Sequence, residues 1–292
     1  MINGIYAATL SVLDKNLALN NEKTIKYAEN LIDKGCHGVV FFGSTGQSQL
    51  ISLSEKIQLI NLLPKSNYRD KFIIGTGLNS LVDNINLIKI AKSNGFNKFL
   101  IMPPAYYKYS DHDVINFYSR IIDEINECKI ILYNFEKLSG YKFSIDCVEE
   151  LVKKFPSQIV GVKDSSYNLY ENLKIDNFSV MPGSESKLLK GLELGCSGII
   201  TATTNVTSIL ARDVYDKFQN GSDQSSNEKL CLVRSIFDKF NLISGLHTFM
   251  AQIDQDYQNL IPPLKLLNEN EKKIFFAELQ KLDFDFKHLK AA

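Results

Sequence analysis

Ile159-Val160-Gly161-Val162-Lys163-Asp164-Ser165 is a short apolar run that ends in a lysine and an aspartate. The run is apolar throughout rather than alternating, so it reads as a strand covered on both faces. At its end, apolar surroundings disfavour an ammonium and leave a neutral, nucleophilic amine at Lys163. Alone, such a lysine is more simply a solvated strand-end cation. Runs of the same kind recur at 4–10, 38–42, 72–76, 98–102, 129–133, 178–181 and 198–201. Amphipathic stretches lie between them. Ser52-Leu53-Ser54-Glu55 carries a capping pattern, and Leu53, Ile57, Ile60 and Leu63 keep one helical face. Gly35, Gly95 and Gly195 each stand just before a run, where a left-handed helix terminus favours glycine. Eight near-continuous apolar strands separated by helices predict a parallel α/β architecture closed into a (β/α)8 TIM barrel over residues 1–222. The alternative is an open doubly wound sheet, but no Gly-x-Gly-x-x-Gly follows the first strand.

Beyond residue 222 the strands stop. Stretches 225–246, 248–257 and 269–281 read as helices, divided by Pro262-Pro263, so residues 223–292 are expected to form a helical C-terminal appendage. The 292 residues, 45% of them hydrophobic, suffice for a full core. Thirty-three basic residues balance 33 acidic ones, which removes any general attraction for nucleic acid or an anionic membrane. No apolar run approaches the ~18 residues of a membrane span, and no signal-peptide pattern opens the chain, so a cytoplasmic location is expected. Cys36, Cys128, Cys147, Cys196 and Cys231 are scattered and fit reduced thiols. His37, His112, His247 and His288 are equally dispersed, so neither a metal nor another cofactor is expected.

Functional side chains of such a barrel gather at the C-terminal ends of the strands. The second strand runs into Gly43-Ser44-Thr45-Gly46-Gln47, whose hydroxyls and amides suit a carboxylate, although Gly-Ser turns are common. The fourth runs into Pro103-Pro104-Ala105-Tyr106-Tyr107-Lys108, the fifth ends in Tyr133-Asn134 and the sixth in Lys163. The seventh ends in Pro182-Gly183-Ser184-Glu185, the eighth in Ile200-Thr201-Ala202-Thr203-Thr204-Asn205. An amine, two hydroxyls and phenols around one mouth suit imine chemistry on a 2-oxo acid.

These motifs, with Ser139-Gly140 and Gly198-Ile199-Ile200, resemble the dihydrodipicolinate synthase and N-acetylneuraminate lyase family over nearly the whole chain. The family comprises class I, pyruvate-dependent aldolases on a (β/α)8 barrel. The resemblance implies that Lys163 forms the Schiff base and that Tyr133 relays protons. It implies that Ser44 and Thr45 bind the pyruvoyl carboxylate, and that Ser44 and Thr45 link Tyr133 to a second tyrosine from a neighbouring subunit. Tyr106 or Tyr107 would be that residue, and the spacing to Ser110 favours Tyr106. Ile200 would present its backbone carbonyl near the substrate, and Gly183 would also bind the substrate. The partners implied are pyruvate and an aldehyde, and the assembly a homotetramer built from dimers.

Three departures bear on substrate. Leu138 stands where synthases of the lysine precursor carry a carboxylate-gripping arginine, and Arg69, Arg120, Arg212 and Arg234 all lie away from strand ends. A bidentate clamp contributes about 1.5–3 kcal/mol per charged hydrogen bond, and Lys137 would replace it only as a point charge. Leu138-Ser139-Gly140 resembles the sialic acid lyases instead, yet Ser186 and Ala202 leave the polyol contacts incomplete. The usual proline after Tyr-Asn is replaced by Phe135-Glu136. The expectation is a lyase or aldolase acting next to a pyruvate unit, with Glu185, Thr203 and Lys137 touching the variable half of the substrate. The alternatives are 4-hydroxy-tetrahydrodipicolinate synthase, N-acetylneuraminate lyase, a 2-oxo-3-deoxy acid dehydratase, or a non-catalytic ligand-binding paralogue that keeps only the scaffold.

Overall fold

A computed structural model describes residues 1–286. Its strands are β1 (Gly4–Ala8), β2 (Gly38–Phe41), β3 (Phe72–Gly75), β4 (Lys98–Ile101), β5 (Lys129–Asn134), β6 (Ile159–Asp164), β7 (Ser179–Pro182) and β8 (Gly198–Thr201). All ladders are parallel, and β1 pairs with both β2 and β8, so the order runs round in sequence. The Ser197 amide donates to the Val180 carbonyl at 2.9 Å where β7 and β8 meet, and the barrel is nearly closed. This is the (β/α)8 architecture expected from the apolar runs.

Strand alternation sorts the side chains into two cores. Val40, Ile73, Leu100, Ile131, Tyr133, Met181 and Ile200 fill the interior of the barrel. Val39, Phe41, Phe72, Ile74, Phe99, Leu132, Val162 and Val180 instead belong to the larger core packed beneath the helices.

The helices are α1 (Asn21–Asp33), α2 (Leu53–Leu62), α3 (Leu81–Ser93), α4 (Asp111–Glu124), α5 (Glu136–Ser139), α6 (Ile145–Lys154), α7 (Leu188–Glu193), α8 (Thr204–Gln219), α9 (Ser225–Asp238), α10 (Leu242–Met250) and α11 (Glu269–Gln280). Ser52, Ser110 and Asn268 close full capping boxes on α2, α4 and α11. Gly35, Gly95 and Gly195 have φ of +108°, +87° and +87°, the left-handed conformation expected of them.

Three segments differ from the sequence expectation. The connection 165–178 has no helix, because its backbone wraps around the Asp164 carboxylate instead. The stretch 225–246 is two helices rather than one: Asn241 accepts from the Ser244 amide and starts α10 afresh. Of 248–257, the first residues belong to α10, and Gln255–Gln258 forms a single 3-10 turn. Residues 287–292, including His288, lie outside the described residues. No helix among the described residues is long and apolar enough to cross a membrane.

Lys56 on α2 is fully buried. Its Nζ donates to the carbonyls of Thr76 (2.8 Å) and Gly77 (3.2 Å) and lies 5.8 Å from the Phe42 ring centroid, which fixes the turn after β3. Burial lowers its pKa to about 7. The unfolded lysine holds its proton to far higher pH, so above about pH 7 the unfolded chain binds more protons and stability rises with pH. Denaturant midpoints should therefore climb from about pH 7 to about pH 8.5, and Lys56→Met should flatten that climb.

Candidate active site

A cavity of about 440 Å³ opens at the C-terminal end of the barrel. Lys163 and Tyr133 stand side by side in its floor because β5 and β6 pair them in register. Lys163 is 3% exposed, and its Nζ lies 4.3 Å from the centroid of the Tyr133 ring. Among the described residues Nζ has no hydrogen bond or ion pair. An amine there is free to react rather than committed to structure.

Tyr133 is buried, and its Oη shares a hydrogen bond of 3.0 Å with Ser44 Oγ. Ser44-Thr45-Gly46 forms one tight 3-10 turn, closed by Gln47 at φ +56°. Ser11 Oγ donates to the Gly46 carbonyl at 2.7 Å. Gln47 Oε1 accepts from the Ile261 amide at 2.9 Å, and Gln47 Nε2 lies 3.5 Å from His247 Nε2. The hydroxyl turn is thus anchored from below by the barrel and from the side by the C-terminal helices. Ser44 and Thr45 both line the cavity.

The wall beside Lys163 depends on Asp164. Its carboxylate is buried and accepts from the amides of Tyr167 (2.9 Å), Leu169 (2.9 Å) and Tyr170 (3.0 Å) and from Asn134 Nδ2 (2.8 Å). Burial pushes this carboxyl above its ordinary value, while the four donors pull it back down. Gly183 packs against the same wall: a Cβ there would lie 2.1 Å from Ser165 Oγ. Ser165, Ser166 and Tyr167 line the cavity as a result.

Some residues expected at the substrate stand elsewhere. Glu185 is 0% exposed and absent from the lining, because its oxygens accept from Thr201 Oγ1, from Thr203 Oγ1 (2.7 Å) and from Arg234 Nη1 (2.9 Å). Thr203 is buried with it and also lies behind the wall. Ile200, expected to act through its backbone carbonyl, packs its side chain in the barrel interior beside Tyr133 and Met181, as that expectation allows. Lys137 lines the cavity from α5, while Leu138 turns away into a smaller cavity of about 130 Å³ bordered by Ala105. Tyr106 and Tyr107 are 90% and 68% exposed, and neither lines the cavity of its own chain. Tyr106 is held at φ +90°, just after Ala105, whose amide donates to Asn79 Oδ1 at 2.9 Å.

Arg234, discounted on sequence for lying far from any strand end, enters the cavity from α9. The available signal was its position on a buried face: Leu230, Val233 and Phe237 flank it at helical spacing. Burial opposes its charge, but Glu185 and Asp238 outweigh that effect and the guanidinium's pKa stands above its ordinary value.

The Dihydrodipicolinate synthetase family model matches residues 1–282. The chain belongs to that family. It is a lyase of the family, similar to an uncharacterized DapA-like lyase of Chloroflexus aurantiacus, 28% identical over 277 residues that cover 91% of this chain and 92% of the relative. It is also similar to 4-hydroxy-tetrahydrodipicolinate synthase of Methanopyrus kandleri, 28% identical over 292 residues, 96% of each chain. Two solved structures share the fold. The 4-hydroxy-tetrahydrodipicolinate synthase of Methylacidiphilum fumariolicum SolV has a TM-score of 0.89 at 22% identity, covering 99% of both chains. YagE, a prophage protein of E. coli K12 in complex with pyruvate, has a TM-score of 0.87 at 21% identity, covering 97% of this chain and 99% of its own.

The Asp164 network makes a direct prediction. Asp164→Ala leaves three amides and one of the two Asn134 Nδ2 N–H groups without an acceptor, the other still donating to Asn168 Oδ1, and should lower the unfolding free energy by about 3 kcal/mol or more, with Asp164→Asn losing less. Chemical denaturation followed by tyrosine fluorescence would measure both.

Proposed function

We propose that this lyase works through an imine on Lys163 and makes or breaks a carbon–carbon bond next to a pyruvate unit. The observation that carries the reading is the Lys163 amine, buried and, among the described residues, without a polar partner, beside a phenol already hydrogen-bonded to Ser44. The pyruvate bound to YagE, a protein of the same fold, supports the choice of ligand.

In this reading the Ser44-Thr45 turn holds the carboxylate of a 2-oxo acid. The Lys163 amine attacks the neighbouring ketone, and Tyr133 carries the proton that lets the carbinolamine lose water. In the cleavage direction the 4-hydroxyl gives its proton to the phenolate that Tyr133 became on that step, as the C3–C4 bond breaks. The bonding pair passes into the iminium to give an enamine, and an aldehyde departs. Protonation at C3 and hydrolysis then release pyruvate and restore the amine. Synthesis is the same sequence reversed. The five cysteines are free thiols, which fits a cytosolic setting. Residues 1–222 carry this chemistry in our reading, and the helices after 222 brace it.

We further propose that the loops after β2 to β5 form a homodimer face, paired again into a tetramer. Leu50, Val82, Tyr106, Tyr107 and Leu138 are all exposed there. Tyr106 would then reach the Ser44 end of its neighbour's cavity.

Pyruvate followed by borohydride should leave one stable adduct, at Lys163, detected by mass spectrometry. A folded protein with no adduct would overturn the imine and favour the ligand-binding paralogue. Tyr133→Phe should lower kcat by roughly 10²–10⁴-fold. Tyr106→Phe should cost more activity than Tyr107→Phe, and sedimentation should show no monomer; a fully active monomer would rule out the shared tyrosine.

A further inference from the structure

Arg234 is 6% exposed and lines the same cavity as Lys163. Its Nε donates to both oxygens of Asp238, each at 2.9 Å. Nη1 donates to Glu185 Oε2 at 2.9 Å and to Thr203 Oγ1 at 3.2 Å. Among the described residues Nη2 has no hydrogen-bond partner, and it is not sealed from solvent, so its two N–H donors are open to the cavity. That is the signature of a binding group awaiting an oxygen.

The kind of oxygen follows from the charges. The guanidinium faces two carboxylates, Glu185 wholly buried and Asp238 48% exposed on the cavity wall. The two carboxylates that touch the guanidinium therefore outnumber its single charge, and the other cation on this wall, Lys187, stands behind Tyr167, 5.8 Å from its ring centroid. A ligand carboxylate would have to give up water and approach Asp238 and Glu185, and like charges brought together oppose binding. A hydroxyl meets no such opposition, since it accepts from Nη2 and donates to Asp238. Ser166 and Tyr167 extend the polar wall beside it. Lys137 is exposed on α5, and its point charge is solvated.

We infer that Arg234 and Asp238 form the subsite for the substrate half distal to the pyruvate unit, and that this subsite takes an uncharged, hydroxylated chain and disfavours a carboxylate. Glu185 and Thr203 act behind them as positioning residues that hold the guanidinium. The inference rests on the imine reading of Lys163, since only that reading fixes which half of the substrate lies beyond the amine.

The test measures pyruvate release from two 2-oxo-3-deoxy acids of equal length, one ending in a hydroxymethyl group and the other in a carboxylate. Borohydride trapping with pyruvate alone serves as the control. The expected result is a kcat/KM at least ~10-fold higher for the hydroxymethyl-ended acid. Asp238→Asn should shift that ratio toward the carboxylate-ended acid, and Arg234→Met should raise KM for the hydroxymethyl-ended one. Lys163 should still be trapped in both variants. Arg234→Met strands a buried carboxylate, so Asp238→Asn, at a half-exposed position, is the decisive variant. Trapping that succeeds while the ratio ignores Asp238→Asn, or follows Lys137→Gln instead, overturns the inference alone. A preference for the carboxylate-ended acid, or release from neither acid, overturns it as well. Failure to trap Lys163 in the unaltered protein removes the imine reading itself.

Discussion

The pairing of β5 with β6 sets Tyr133 against Lys163 and Asn134 against Asp164, and everything at the mouth of the barrel depends on that register. Side chains alternate along a strand, so adjacent residues of one pair serve opposite purposes. Tyr133 and Lys163 meet in the cavity, whereas Asn134 and Asp164 meet in the wall. A slip of one residue would exchange the two sets, putting the carboxylate into the cavity and the amine among backbone amides. The register is held by burial on both faces: Leu132 and Val162 pack under the helices while Ile131 packs inside the barrel. Reactive geometry and fold specification are here the same constraint.

Much of this was legible in sequence because parallel strands buried on both faces leave continuous apolar runs. The eight strands lie within a few residues of those runs, and Gly35, Gly95 and Gly195 take the left-handed conformation their positions required. Local chemistry was readable to the extent that it is local. Ser44, Thr45, Tyr133 and Lys163 each end a strand or begin the turn after it, and the closed barrel brings those ends together.

What stayed hidden was set by partners distant along the chain. At the end of β7, Glu185 resembles a substrate contact until Arg234, 49 residues later, claims its carboxylate. Nothing near Arg234 in sequence announces that pairing beyond a cation on an apolar helical face. The helix-free connection after β6 was concealed for a related reason. Asp164 ends its strand like any residue entering a turn, and only the folded chain shows three amides converging on its two oxygens. Asn241 restarts a helix inside a stretch whose apolar pattern runs on unbroken, because a cap acts through one hydrogen bond that periodicity does not record.

Three buried basic side chains show how the same fold separates structure from chemistry. Lys56 is held by two carbonyls and Arg234 by two carboxylates, so each has polar partners that fix its position. Lys163 has an aromatic ring and, among the described residues, no polar partner. An amine buried without compensation is costly, and that cost is tolerated where the group has work to do. Arg234 divides the distinction within one side chain: Nε and Nη1 are committed to the wall, and Nη2 is not. Satisfied donors build the cavity and unsatisfied ones face what enters it. The unused amine of Lys163 and the unused N–H groups of Arg234 belong to one cavity, so a single molecule spanning them would satisfy both.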